Sequence, residues 1–179
     1  MKKERINKAL MIMSLMLTFS SINSSRIYEK IHVLPLDMHG WLCSENKKHL
    51  KKFITDKKIK IIVEVGVWLG KSAIYMASLL PDDGVLYAID HWEGQYYWQN
   101  PGKDIMDRMP TLYQQFLSNV IHNGLKKKII PIKLSSLEAA EELRIKADLI
   151  YIDASHTEID VFNDVIAWSK KLNENGIMC

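Results

Sequence analysis

Apolar residues recur along this chain in two alternating rhythms. Short runs without polar alternation at 59–65, 85–89, 129–132 and 149–152 predict strands buried on both faces. Between them, apolar positions recur at helical spacing. This predicts helices over 71–80, 111–121, 137–143 and 158–172, the last with Val161, Val165, Trp168 and Leu172 on one stripe. Ser135 or Ser136 caps the third of these, with Glu138 in its first turn. Pro81-Asp82-Asp83-Gly84 reads as a turn and Asn175-Gly176 as a helix stop, with a fifth strand starting at Ile177. Strands alternating with helices predict an α/β fold: a Rossmann-like, doubly wound parallel sheet.

Upstream the pattern differs. Lys2, Lys3, Arg5 and Lys8 precede an uncharged apolar stretch from Ala9 to Phe19, and a small polar run, Ser20 to Ser25, follows. That order is the order of a signal peptide or an anchoring leader, too short to span a bilayer as a helix. The expectations are a leader over 1–25 that contacts or crosses a membrane, a linker over 26–45 and a domain over 46–179. Export or anchoring and a cytoplasmic location are both open. Residues 46–60, lysine-rich with Leu50, Phe53 and Ile54 at helical spacing, read as a surface helix capping that domain.

Charge sharpens this division. The chain has 179 residues, one domain's worth, and a net charge of +3. The first 60 residues carry 13 Lys/Arg against 5 Asp/Glu, and the remainder 11 against 16. The body is acidic, so no nucleic-acid partner is expected. Cys43 and Cys179 are too few for a disulfide framework and lack metal-type spacing.

Ligands of parallel sheets sit beyond the carboxyl ends of the strands, and that rule selects the candidate chemistry. The first strand-to-helix turn reads Glu64-Val-Gly66-Val-Trp-Leu-Gly70-Lys71-Ser72. It is one residue short of a phosphate-binding P-loop and lacks the middle glycine of a dinucleotide fingerprint. The remaining pattern, an acid followed by Gly-x-x-x-Gly, suits a ligand with a positive group. Gly66 allows a sharp turn, and Gly70 lets a ligand approach the helix N-terminus. Asp90 ends the next strand 24 residues after Gly66, placed to hydrogen-bond ribose hydroxyls. Asp153 ends the fourth strand, with His156 three residues on. An imidazole there suits a general base, and a carboxylate there suits a site role beside it. His91 and Trp92 wall the cleft or pack beneath it. The loop 94–110, with Tyr96, Tyr97 and Trp98, is an acceptor-side lid or a packed surface loop.

These residues resemble the class I S-adenosylmethionine-dependent methyltransferases. Glu64 to Ser72, Leu86 to Trp92 and Asp148 to His156 are similar to the bacterial branch containing macrocin-type sugar O-methyltransferases. The resemblance implies O-methylation of a small hydroxylated, sugar-like acceptor. It places Glu64, Gly66 and Gly70 along the methionine part of S-adenosyl-L-methionine, Asp90 on the ribose, Ser136 beside the adenine, and Asp153 and His156 at the reacting centre. It also implies a divalent cation such as Mg2+ at Asp153, whose remaining ligands belong to a Gly-Asp-Asp-type segment and further strands that would follow residue 179. The sheet is therefore expected to lack its final strands and the metal site to be incomplete. An oligomer is compatible with this reading. Two other functions compete: a catalytically inactive cofactor- or partner-binding module, and an NTPase suggested by Gly70-Lys71-Ser72.

Overall fold

The computed structural model describes residues 26–94 and 102–179. The expected leader and the aromatic part of the 94–110 loop, Tyr96 to Trp98, lie outside the described residues. Among the described residues, no helix is long and apolar enough to cross a membrane.

Five parallel strands form one sheet in the order β3-β2-β1-β4-β5. They are β1 (Ile61–Val65), β2 (Val85–Asp90), β3 (Ile129–Lys133), β4 (Ala147–Ile152) and β5 (Leu172–Met178). Helices α1 (Ser44–Asp56), α2 (Lys71–Leu79) and α4 (Leu112–His122) cover one face. Helices α5 (Ser136–Glu142) and α6 (Glu158–Ser169) cover the other. A short α3 (Lys103–Met106) lies between β2 and α4. The strands read as continuous apolar runs because alternate residues enter two cores. Ile62, Leu86, Ile129 and Leu149 pack with Met76 and Phe116. Val63, Val65, Ile89 and Ile150 pack with Trp168. Pro131 is tolerated in β3 because that strand is an edge of the sheet.

The order turns back at β1. Strands β2 and β3 lie to one side of it, and β4 and β5 to the other. A crevice outside the strand ends follows from that switch of direction.

Three expectations need correction. Residues 26–45 are not free linker: α1 starts at Ser44, and the stretch before it is strapped along α4. Tyr28 is buried and donates its hydroxyl to the Ile129 carbonyl at 3.0 Å. Ser118 Oγ accepts from the Leu34 N–H, and the Gln115 amide donates to the Pro35 carbonyl. Asn119 is the centre of the strap. Its Oδ1 accepts from the Asp37 N–H, and its Nδ2 donates to the Asp37 and Leu69 carbonyls at 2.6 and 2.8 Å. An extended segment whose backbone is satisfied by side chains carries no periodicity, so it looks like linker in the sequence.

The last helix ends at Ser169 rather than at 172, and Asn175-Gly176 lies inside β5. Pairing steps from Ala147↔Leu172 directly to Leu149↔Ile177, so the intervening residues of β5 bulge outward. Asn175 takes φ +65° there. The bulge is anchored by Asn173, which donates to Asp148 Oδ1 at 2.7 Å, while Asp148 Oδ2 holds the Lys60 and Ile61 N–H groups.

The inward row of α6 is also displaced by one position. Trp168 is fully buried as expected, but Val161 and Val165 are 38% and 40% exposed. The residues in line with Trp168 are Asp160 and Asp164, and Asp164 is only 4% exposed.

Asn119→Ala should lower stability by about 2–3 kcal/mol, because it orphans the buried Leu69 carbonyl and the half-buried Asp37 carbonyl. Gln114→Ala should cost under about 0.5 kcal/mol, since its bond to the His32 carbonyl is exposed. Chemical denaturation of both variants checks this, and equal losses would contradict the strap's dependence on Asn119.

Candidate active site

The ends of β1, β2 and β4 open into a cleft of about 870 Å3. Gly66, Asp90, Ser136, Asp153 and His156 line it, whereas Glu64 and Gly70 are not among its lining residues.

Gly66 takes φ +83° and donates its N–H to the Ile89 carbonyl. A Cβ there would lie 2.5 Å from the Ala154 Cα. Glycine is thus required by the approach of the β4–α6 loop. Gly70 takes φ +87° as N-cap of α2, and a Cβ would lie 2.8 Å from the Phe116 ring. Its lack of a side chain serves packing against α4.

Asp90 organises the turn. Its Oδ2 accepts from the Val67 and Trp68 N–H groups, both at 2.9 Å, and its Oδ1 from the Trp92 N–H at 2.7 Å. Trp68 sits at φ +53°, a conformation unusual for a large side chain. It is held there by two further contacts: its carbonyl accepts from the Trp92 indole at 2.8 Å, and its own indole donates to His39 Nδ1 at 3.3 Å. Trp92 stacks on Phe116 at 4.8 Å and also lines the cleft, so it both walls the cleft and packs.

Glu64 lies behind the turn, fully buried. Ser72 donates its hydroxyl to Oε1, and Oε2 finds no partner among the described residues. Burial pushes its pKa well above the ordinary carboxylate range; the Ser72 hydrogen bond opposes the rise, and the nearby Asp153 and Asp90 charges add to it. The fold therefore favours its neutral form. It touches the cleft only through Ser72, which does line it.

Asp153 follows β4, tied to β1 by its N–H to the Val65 carbonyl at 2.8 Å. Burial raises its pKa, and the neighbouring His156 pulls it back. His156 is exposed at the cleft and lies just before α6, whose N-cap is Thr157. The Thr157 and Ser155 hydroxyls both hold Asp160, which keeps that carboxylate below its ordinary range.

Across the cleft, Ser135 caps α5 in a capping box with Glu138, which leaves Ser136 to face the cleft. Ser136 donates to Asp164 Oδ1 and accepts from the Trp168 indole at 2.9 Å. Burial raises the Asp164 pKa; the Ser136 hydrogen bond opposes this and the Asp160 charge adds to it. Asp160, Asn163 and Asp164 all line the cleft and were missed in the sequence. Their i, i+3, i+4 spacing on α6 was the available signal.

The described residues contain no group of three or more His, Cys, Asp or Glu able to hold a metal ion. The donors at Asp153 therefore do not fit the divalent cation expected there, and no step is derived through one. The turn also fails as a phosphate cradle. Two of its N–H groups already serve Asp90, and Lys71 Nζ donates to the Gly40 carbonyl at 2.7 Å.

Comparison with known proteins places this geometry. The family described as a methyltransferase domain matches residues 63–179. No curated protein matches the sequence. Among solved structures, the O-methyltransferase TomG from Streptomyces achromogenes, involved in tomaymycin synthesis and in complex with SAM, is similar with a TM-score of 0.60 and 18% identity, covering 90% of this chain and 62% of that one. The O-methyltransferase from Bacillus cereus in complex with SAH gives a TM-score of 0.55 and 15% identity, covering 89% and 64%. The SAM-dependent O-methyltransferase from Thermotoga maritima gives 0.56 and 14%, covering 78% and 44%. The chain thus spans less than two thirds of these proteins, and at such identities the likeness shows the fold.

Glu64→Gln should stabilise the protein as pH rises. The folded state keeps Glu64 protonated while the unfolded chain ionises it above its ordinary value of 4.5. Wild-type stability is therefore intact below that value and lost progressively above it, up to the folded pKa. The melting temperature of the variant should gain on wild type as pH rises above 4.5. A difference that does not grow with pH would show that Glu64 is ionised in the fold.

Proposed function

We propose that this chain, which belongs to the methyltransferase domain family, binds S-adenosyl-L-methionine in the cleft and directs its methyl group to a hydroxyl of a small, sugar-like acceptor. The observation that carries this reading is the acidic lining of the cleft. Asp90, Asp153, Asp160 and Asp164 line it against a single lysine, Lys71. Such a lining suits a cationic ligand with ribose hydroxyls better than a polyphosphate. Its volume lies within the ordinary range of small-molecule sites. The bound SAM and SAH of the similar TomG and Bacillus cereus proteins support the same ligand.

S-adenosylmethionine supplies a methyl group made electrophilic by its sulfonium, and transfer leaves S-adenosylhomocysteine. The chain's own residues supply the rest. Asp90 has lone pairs beyond its three backbone bonds with which to accept ribose hydroxyls. The β3–α5 loop, through Ser136, flanks the adenine. His156 takes the acceptor's hydroxyl proton at a ring nitrogen. Asp153, whose charge is coupled to that imidazole, stabilises the imidazolium that results. Alignment of acceptor and methyl by the walls supplies the remaining acceleration.

Calorimetric titration with S-adenosylhomocysteine should show binding by wild type. Asp90→Ala should weaken it by about tenfold or more, having lost both a hydroxyl acceptor and the latch of the turn. No binding by wild type would sink the reading, and equal binding by the variant would sink the role of Asp90.

His156→Gln should lower S-adenosylhomocysteine production with hydroxylated acceptors by about a hundredfold near neutral pH. It should also abolish the fall in rate toward acid pH that protonation of a base causes. A variant that keeps the acid limb excludes His156 as the base, and cofactor binding without turnover in wild type would favour an inactive binding module.

A further inference from the structure

We infer that the outer surface formed by residues 30–36 of the strap and by α1 docks on a bilayer of anionic phospholipids. None of these residues lines the cleft, so this surface and the ligand of the cleft are independent of each other.

Charge separates the two faces of the sheet. Residues 26–60 carry nine Lys/Arg against four Asp/Glu. Helix α1 turns Leu50 and Ile54 inward, which leaves Lys48, Lys51 and Lys52 exposed at i, i+3 and i+4, with Lys57 and Lys58 exposed just past its end. Glu45 pairs with Lys48 at 3.2 Å, but among the described residues no carboxylate pairs with Lys51, Lys52, Lys57 or Lys58. On the opposite face, α5 and α6 together hold six Asp/Glu and no Lys or Arg. A molecule polarised in this way turns its α1 side toward an anionic surface and its α5–α6 side away from it.

Exposed apolar side chains accompany these lysines. Val33 and Leu36 are 39% and 54% exposed. The backbone beside each is already fastened to α4: Gln114 bonds the His32 carbonyl, Ser118 and His122 the two backbone groups of Leu34, Gln115 the Pro35 carbonyl and Asn119 the Asp37 N–H. A fixed frame thus presents both side chains outward, and covering them with acyl chains buries apolar surface at little conformational cost. The strap and α1 belong to one layer. Helix α1 packs on α2, where the Tyr75 hydroxyl donates to the Lys47 carbonyl at 2.9 Å, and α4 meets the start of α2 through Phe116. Apolar side chains among lysines are what the headgroup boundary of a bilayer accommodates; a nucleic acid would engage the lysines and leave Val33 and Leu36 in water. Helix α6 also exposes Ile159, Phe162 and Ile166, but on an acidic helix that anionic headgroups repel. Upstream, the uncharged run from Ala9 to Phe19 follows four basic residues. A short apolar anchor is weak by itself, and a polybasic patch is the second element that makes attachment stable.

The test is co-sedimentation of the full chain with phosphatidylcholine vesicles and with mixed phosphatidylcholine–phosphatidylserine vesicles. Wild type should bind the mixed vesicles about tenfold more tightly or better, and salt should weaken that binding. Lys51→Glu combined with Lys52→Glu should weaken it by about tenfold or more. The charge-matched pair Arg144→Glu and Lys146→Glu, beyond α5, should leave it nearly unchanged. Leu36→Ser should weaken it by roughly fivefold without altering its salt dependence. All of these side chains are exposed, so the fold survives each change. Equal binding of wild type to both vesicle compositions overturns the inference, as does binding to single-stranded RNA with none to vesicles. So does an equal loss with the Arg144 and Lys146 pair, or a loss with Phe162→Ser and none with Leu36→Ser. Wild-type binding by the Lys51 and Lys52 variant overturns it too, since attachment would then belong to residues 1–25 alone.

Discussion

Three backbone N–H groups, from Val67, Trp68 and Trp92, converge on the carboxylate of Asp90, and the shape of the cleft depends on that convergence. Left buried without acceptors, each would cost about 1–3 kcal/mol, and the turn would have no reason to keep Trp68 at positive φ. The carboxylate at the end of β2 thereby latches the turn that follows β1. It also puts a negative charge at the mouth of the crevice. Ligand recognition and integrity of the turn are consequently a single property here. A ligand hydroxyl meets an acceptor whose position is already held by three donors, and so meets a preorganised one.

The two glycines that flank the turn act through protein packing. Gly66 lets the Ala154 backbone close against β1, and Gly70 lets the Phe116 ring seat against the start of α2. Phe116 in turn carries Trp92, whose indole returns to the Trp68 carbonyl. Three α4 residues further on, Asn119 binds the Leu69 carbonyl and both backbone groups of Asp37. The turn, α4 and the N-terminal strap therefore form one hydrogen-bonded and packed body. The His39–Trp41 segment reaches the cleft as part of that body.

Much of this was legible from periodicity. Four strands and the helices that follow them fall within a few residues of the positions their apolar runs predict, because a strand buried on both faces has an unambiguous signature. Asp90, Gly66, Ser136, Asp153 and His156 were found by the rule that ligands gather beyond strand ends, which needs only topology. The strap was illegible because its backbone partners are the side chains of Ser118, Asn119 and Gln115, more than 75 positions away. The polar row of α6 was misread for a different reason. Val161 and Val165 offered an apolar stripe one position out of phase with Asp160 and Asp164, and hydrophobicity alone favours the valines. The acids win the inward position because Ser136 supplies Asp164 with a hydroxyl donor, so a buried carboxyl is satisfied. Glu64 and Gly70 stood out in the sequence as part of the turn pattern, and in the fold both pack behind the turn.

Burial then decides how many of the acids carry charge. Glu64, Asp153 and Asp164 are all pushed toward the neutral form by desolvation, and in Glu64 the shift is large. Asp160 is held below its ordinary range by two hydroxyls, and Asp90 accepts three backbone N–H donors. Two like charges separated only by the thickness of a turn would destabilise each other in a low-dielectric interior. Favouring the neutral form of Glu64 eases that conflict. The sequence counts both as acids, but the fold distinguishes them. One is buried beneath Ser72 and pushed toward its neutral form, and the other lines the cleft, where a ligand can reach it.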